Sequence, residues 1–204
     1  MIAATEIRTF GVDVSGRPIK MTARMSQAFD AACDKSGVTP DIVQGAYMGS
    51  SGAPASAGTH ERSGCLDLRT WNLTTGQREA WMRAARSIGW AAWYRTTAQG
   101  FDPHLHVLLL GEPDMHPDAI NQEEQYRRGL NGLASGGADD FWRPDPIPTY
   151  QYSEEDDMTS EDIDKIAVAV VKRLLGTDLT PDNDDNDLTV RGALNKLANR
   201  EVSA

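Results

Sequence analysis

The chain has 204 residues, 20 Lys and Arg against 30 Asp and Glu for a formal net charge of -10, and 40% apolar residues. That is enough for one globular domain with a proper core and a smaller appendage, while no apolar run reaches the length a bilayer demands and the start, MIAATEIRTFGVDVSGR, lacks the basic and apolar regions of a signal peptide. Residues 1–135 hold 14 Asp and Glu against 13 Lys and Arg, and residues 136–204 hold 16 against 7, an asymmetry that marks a boundary and leaves no basic stripe to neutralise the phosphates of a nucleic acid.

Ile7 to Met21 alternates apolar and polar residues around Gly11, Gly16 and Pro18 and reads as a strand or hairpin. From Thr22, the spacing of Met25, Ala28, Phe29, Ala32 and Cys33 predicts a helix with one apolar face, stopped by Gly37. Pro40 to Met48 reads as a turn into a strand, DIVQGAYM. The small-residue loop GSSGAPASAG then ends at His60, with Gln44, Tyr47 and Ser56 as candidates to line an opening there. After a strand CLDLR, a helix is expected from near Thr75, with Trp81, Ala84, Ala85 and Ile88 inward and Gly89 closing it. Trp90 to Thr97 is an aromatic strand, and TAQGFDP returns the chain as the strand of His104-Leu105-His106-Val107. Trp81, Trp90 and Trp93 read as core. Cys33 and Cys65 read as buried free thiols. Helices against an antiparallel sheet make an α+β architecture.

Gly111 ends the sheet portion. Ala119 to Leu133 is expected as a helix, with Glu123–Arg127 and Glu124–Arg128 at pairing distance and Tyr126, Leu130 and Leu133 along one edge. His116 reads as a loop histidine. Domain 1–135 is followed by an acidic Pro/Gly-rich linker, 136–159, and a helical C-terminal segment, 160–204, with one helix in TSEDIDKIAVAVVKRLLG and another from Val190 to Arg200. The apolar stripes of these two helices are too wide for a solvated hairpin, so either they dock on the main domain or copies associate through them, and association is the expectation. Between them, TPDNDDNDL has the acids of a calcium loop but lacks its glycine, and Ala193 fills the closing Glu position, so no calcium is expected.

The stretch from His60 to His106 holds three of the four histidines. Strand periodicity puts His104 and His106 on one face, and Asp67 on the face of Cys65 and Arg69. Two imidazoles and a carboxylate gathered by adjacent strands are the ligand types of a catalytic zinc site, which keeps one position open. A structural zinc site would want more cysteine than two distant residues supply.

The spacing His60, six residues, Asp67, and later His104-x-His106 resembles that of the zinc peptidases that group lysostaphin, the D-alanyl-D-alanine carboxypeptidases and the hedgehog signalling domain. It is most similar to endolysins of phages that infect actinobacteria, over roughly the first two thirds of the chain. The resemblance implies a hedgehog/DD-peptidase-like fold and Zn2+ bound by His60, Asp67 and His106, with His104 in the active site but off the metal. Where the carboxypeptidases commonly carry Glu-x-x-Trp-His, this chain has Asp102-Pro103-His104-Leu105-His106. Asp102 stands nearest to that Glu and is the expected general base, with His104 the other candidate. Gln122, Tyr126 and Gly132-Leu133 loosely match an endolysin pattern read as a cap on the catalytic domain. The activity implied is hydrolysis of peptidoglycan stem or cross-link peptides, by an enzyme held in the host cytoplasm until lysis, with neither membrane nor nucleic acid as partner. A non-catalytic zinc-stabilised binding module and a zinc hydrolase of another substrate are the alternatives.

Overall fold

The alternation around Gly11 and Gly16 folds as an antiparallel hairpin, β1 (Ile7–Val12) on β2 (Pro18–Thr22), in a computed structural model that describes residues 3–13, 16–49 and 58–154. Thr22 ends the hairpin and caps α1 (Ala23–Ser36): its hydroxyl accepts the Met25 N–H, which stabilises a helix start by ~1 kcal/mol. At the other end Gly37, at φ 67°, returns its N–H to the Cys33 carbonyl. A left-handed residue there favours glycine.

Four strands form the main sheet: β3 (Ile42–Gln44), β4 (Cys65–Arg69), β5 (Trp90–Arg95) and β6 (His104–Leu109). Their order is β3-β4-β6-β5 and every neighbouring pair is antiparallel. Between β4 and β5 runs α2 (Thr75–Arg86), begun by a reciprocal box in which Thr74 and Gln77 cap each other. After β6 comes α3 (Pro117–Arg127), with proline in its first turn. Among the described residues this is an α+β arrangement of two antiparallel sheets and three helices.

The two faces of the main sheet do different work. On one, Leu66, Leu68, Leu105, Val107, Leu109 and Trp90 pack against Phe29 of α1 and Trp81 of α2 to make the main core. Each fully buried large apolar side chain there stabilises the fold by ~1.5–3 kcal/mol. On the other, Cys65, Ala91, Trp93 and Leu108 meet Ala119 and Tyr126 of α3 in a smaller cluster. α3 covers only part of that second face, and the remainder carries the polar residues described below. Cys33 and Cys65 are both buried free thiols, and burial pushes the Cys65 thiol far up.

Three sequence expectations are revised. DIVQGAYM keeps strand geometry only over Ile42–Gln44, because the chain then closes on β2: a Cβ on Gly45 would stand 2.8 Å from the Lys20 backbone nitrogen. α3 stops at Arg127 short of Leu133, since Gly129 and Gly132 take φ values of 81° and 70° and Gly132 lies against the Trp93 ring. The boundary at Ser135 also moves, for the compact unit runs to Glu154. Buried Arg86 donates to the carbonyls of Phe141 and Trp142 and to Asp139, Arg24 donates to the Tyr150 carbonyl, and Gln27 donates to that of Ser153. A Gly-, Pro- and Asp-rich stretch reads as linker by composition, but here long side chains from two helices tie down its backbone acceptors. The rest of the predicted linker, both C-terminal helices, their association and TPDNDDNDL lie outside the described residues, as does Ser56. No helix among the described residues is long and apolar enough to cross a membrane.

Candidate metal centre

Strand register brings the first residues together. Asp67 on β4 pairs with His106 on β6, which pairs with Trp93 on β5; one step along, Arg69 pairs with His104 and His104 with Arg95. Directly paired residues share a face, so Asp67, His104, His106, Trp93 and Arg95 all rise from the half-covered side of the sheet. Trp93 lies nearly parallel to His106, ring centroids 6.1 Å apart, and forms its floor.

His60 arrives from a loop held by backbone bonds. The Met48 N–H donates to the His60 carbonyl at 2.9 Å, and the Tyr47 N–H to that of Arg62 at 3.2 Å. Tyr47 has φ 57°, a left-handed conformation costly for a tyrosine, and two residues before it the Gly45 carbonyl faces the imidazole. His60 Nδ1 donates to that carbonyl at 3.0 Å.

Three imidazoles surround one carboxylate oxygen. Asp67 Oδ1 lies 2.8 Å from His106 Nδ1, 3.4 Å from His60 Nε2 and 3.6 Å from His104 Nε2. Each ring's other nitrogen faces an acceptor: Gly45 O for His60, the Asp102 carbonyl at 2.6 Å for His104, and Gln122 Oε1 at 2.8 Å for His106. A neutral imidazole has one N–H. Spent outward on these acceptors, it leaves the inward nitrogen with a bare lone pair facing a carboxylate. Lone pairs and a negative charge repel unless a cation sits among them: either protons on the inward nitrogens, which then hydrogen-bond Asp67, or a divalent metal, which the donor set fits. The ligand atoms of His60, Asp67 and His106 all lie within 4.8 Å of one another, so this buried trio can hold a metal ion.

The electrostatics follow from burial and this crowding. Burial raises the Asp67 carboxyl, but the charges and hydrogen bonds of His60 and His106 outweigh it and hold it well below the usual carboxylate range. For His60, burial lowers the pKa, and Asp67 with the Gly45 carbonyl more than reverses this. His106 stays below the ordinary value because burial, with His60 and Arg95 nearby, exceeds the pull of Asp67. The Arg95 guanidinium is pushed down to about 10, burial first among the causes.

The centre opens into a cleft of about 340 Å³ lined also by Gln44, Phe101, Asp102, Gln122 and the segment Gly132–Ala134. Thus His60, Asp67, Asp102, His104 and His106 all meet in one cleft, and Gln44 stands at its wall. Tyr47 packs against the main core instead. His116 caps α3 through its Nδ1, away from the metal trio. Sequence reasoning missed the role of two residues. Gln122 occupies the α3 face of Ala119 and Tyr126 at helical spacing, a signal that it points toward the sheet, and Arg95 follows Trp93 at strand spacing.

Comparison of the chain with protein-family models, with curated proteins and with solved structures found no match.

Proposed function

We propose that this chain is a zinc peptidase of the hedgehog/DD-peptidase type that hydrolyses peptide bonds of bacterial peptidoglycan, as a phage endolysin does at host lysis. The observation that carries this reading is the convergence of His60 Nε2, Asp67 Oδ1 and His106 Nδ1, with the other nitrogens of the two imidazoles on the Gly45 carbonyl and Gln122 Oε1, inside a cleft open to substrate. Zinc is the natural occupant of a His, His, carboxylate set, with a fourth position left for water or substrate. When bound, it supplies Lewis acidity that polarises a carbonyl and makes water a stronger acid.

The chain's own groups do the rest. Asp102, at the cleft wall, accepts a proton from the attacking water and delivers one to the departing amine, so that one water and one peptide bond become a carboxylic acid and an amine. His104, fixed through Nδ1 to the Asp102 carbonyl, points Nε2 toward the centre and orients the water. That same hydrogen bond favours a second assignment, in which His104 takes the proton itself: its lone pair is aimed, whereas the Asp102 carboxylate is exposed. Both groups beside a full ligand set favour an enzyme over a zinc-stabilised binding module, which needs the ligands alone.

Metal analysis of the purified protein, followed by digestion of peptidoglycan and mass spectrometry of the fragments, tests the reading. Stoichiometric zinc and new peptide termini are expected. Zinc retained in His106→Ala, or an undigested wall, would overturn it.

A further inference from the structure

Gln44 stands at one end of a row of residues that crosses the main sheet. It pairs with Asp67, Asp67 with His106 and His106 with Trp93, so its side chain rises on the face of the metal trio, and directly paired residues hold their Cβ atoms about 4.5–5.5 Å apart. The register shifts between Ile42 and Gln44, an irregularity of the kind that re-aims a side chain beside a site. The next residue, Gly45, gives its carbonyl to His60 Nδ1 at 3.0 Å. Gln44 therefore flanks two of the three ligands at once, Asp67 through the sheet and His60 through its own neighbour in the chain. Its amide is uncommitted. Gln27, Gln77, Gln99 and Gln122 each use Oε1 in a hydrogen bond. Among the described residues Gln44 has no hydrogen-bond partner, although it is half-buried and lines the metal cleft. β3 is an edge strand, so no further strand of the sheet covers that amide.

We propose that Gln44 is a further catalytic residue, whose Nε2–H donates to the carbonyl oxygen of the bond being cut and stabilises the negative charge that grows there. This rests on the peptidase reading. The proton steps occupy Asp102 and His104, which leaves that oxygen without a donor from the chain until Gln44 supplies one. As the water oxygen bonds to the carbonyl carbon, the π pair moves onto the carbonyl oxygen. As the C–N bond breaks, that pair returns to reform the double bond, and the nitrogen leaves with the proton delivered by the general acid. The charge that Gln44 meets is present only between these two events. A contact that strengthens only then raises kcat without tightening substrate binding, and a neutral amide keeps its donor hydrogens whatever the pH.

Two variants test it. Gln44→Met removes the amide at similar length and adds no charge, while Gln44→Glu keeps the shape and puts an anion in place of the donor. Both should hold zinc as wild type does and leave KM nearly unchanged, while kcat on wall peptides falls roughly 100- to 1,000-fold. Dimethylphosphinate, a tetrahedral anion, gives a readout without turnover. Calorimetric titration of the zinc-loaded full chain should show it bound roughly 10- to 100-fold more weakly by both variants than by wild type. Zinc lost in Gln44→Met would overturn the proposal by making the amide a metal ligand. A wild type that ignores the phosphinate, or a Gln44→Met that binds it as tightly, would overturn it too, and weakening in Gln44→Glu alone would do the same by tracing the effect to charge. Phosphinate binding that depends on Gln44 in a protein that cleaves no wall peptide leaves the donor standing and removes the peptidase reading; cleavage at wild-type kcat in Gln44→Met does the reverse.

Discussion

Replacing Gln122 by leucine removes one acceptor from the rim of the centre and leaves the three ligands in place. In the native arrangement Gln122 Oε1 receives His106 Nε2–H at 2.8 Å, which favours the tautomer whose Nδ1 is free to bind a metal beside Asp67 Oδ1. Without it, the buried ring chooses between placing its proton on Nδ1, where a metal would bind, and leaving an N–H unsatisfied against an apolar side chain. Outer partners of metal-bound histidines are worth ~10–100-fold in metal affinity. At fixed free zinc well above the dissociation constant, that loss lowers the metal's contribution to stability by ~1.4–2.7 kcal/mol. Chelator competition reads the affinity, and thermal unfolding with and without zinc reads the linked stability. The metal-free protein should change little by comparison. Gln122→Glu keeps an acceptor and should bind zinc at least as well as wild type. Zinc affinity in Gln122→Leu within twofold of wild type, beside a His106→Ala variant that binds none, would refute the claim that this contact prepares the ligand.

Asp102→Ala and His104→Ala should both keep zinc and lose most wall-degrading activity; a fully active Asp102→Ala beside a dead His104→Ala would give the base role to the histidine. Arg86→Met strips hydrogen bonds from the carbonyls of Ala92, Phe141 and Trp142 and leaves Asp139 without its cation. The cost should be ~3–5 kcal/mol in denaturant unfolding, and a near-neutral result would deny that residues 139–142 belong to the folded unit. Among the described residues the buried Tyr126 hydroxyl has no hydrogen-bond partner, and burial raises its pKa to about 12. The folded state therefore holds that proton more tightly than the unfolded chain, whose tyrosines titrate near ~10. Stability from this group is whole below that value and is lost as pH rises toward about 12. Tyr126→Phe should be neutral or stabilising at pH 7 and should lose less stability than wild type over that window; unfolding midpoints in which the variant loses more would contradict it.

Within the described residues, much of the architecture was legible in local pattern. The apolar spacing of Met25, Ala28, Phe29, Ala32 and Cys33 marks the α1 face found in the core, because a helix repeats its faces every 3–4 residues. The alternation in Cys65-Leu66-Asp67-Leu68-Arg69 and in His104-Leu105-His106-Val107 told in advance which residues share a side. Periodicity works because it depends only on backbone geometry within one element. It fails where segments far apart in sequence meet. Trp93 is core, as its spacing predicts, but only register with β6 shows that it also forms the floor under His106. The stretch after Ser135 was read as linker, yet Arg24, Gln27 and Arg86, more than 50 residues away, hold its backbone. By itself the sequence determined the α+β class, the main elements and the residue types able to bind a metal. The tertiary structure decided that Gly45 and Gln122 orient the two imidazoles, since this depends on strand register and on how α3 docks, and neither is encoded in the neighbours of any one residue.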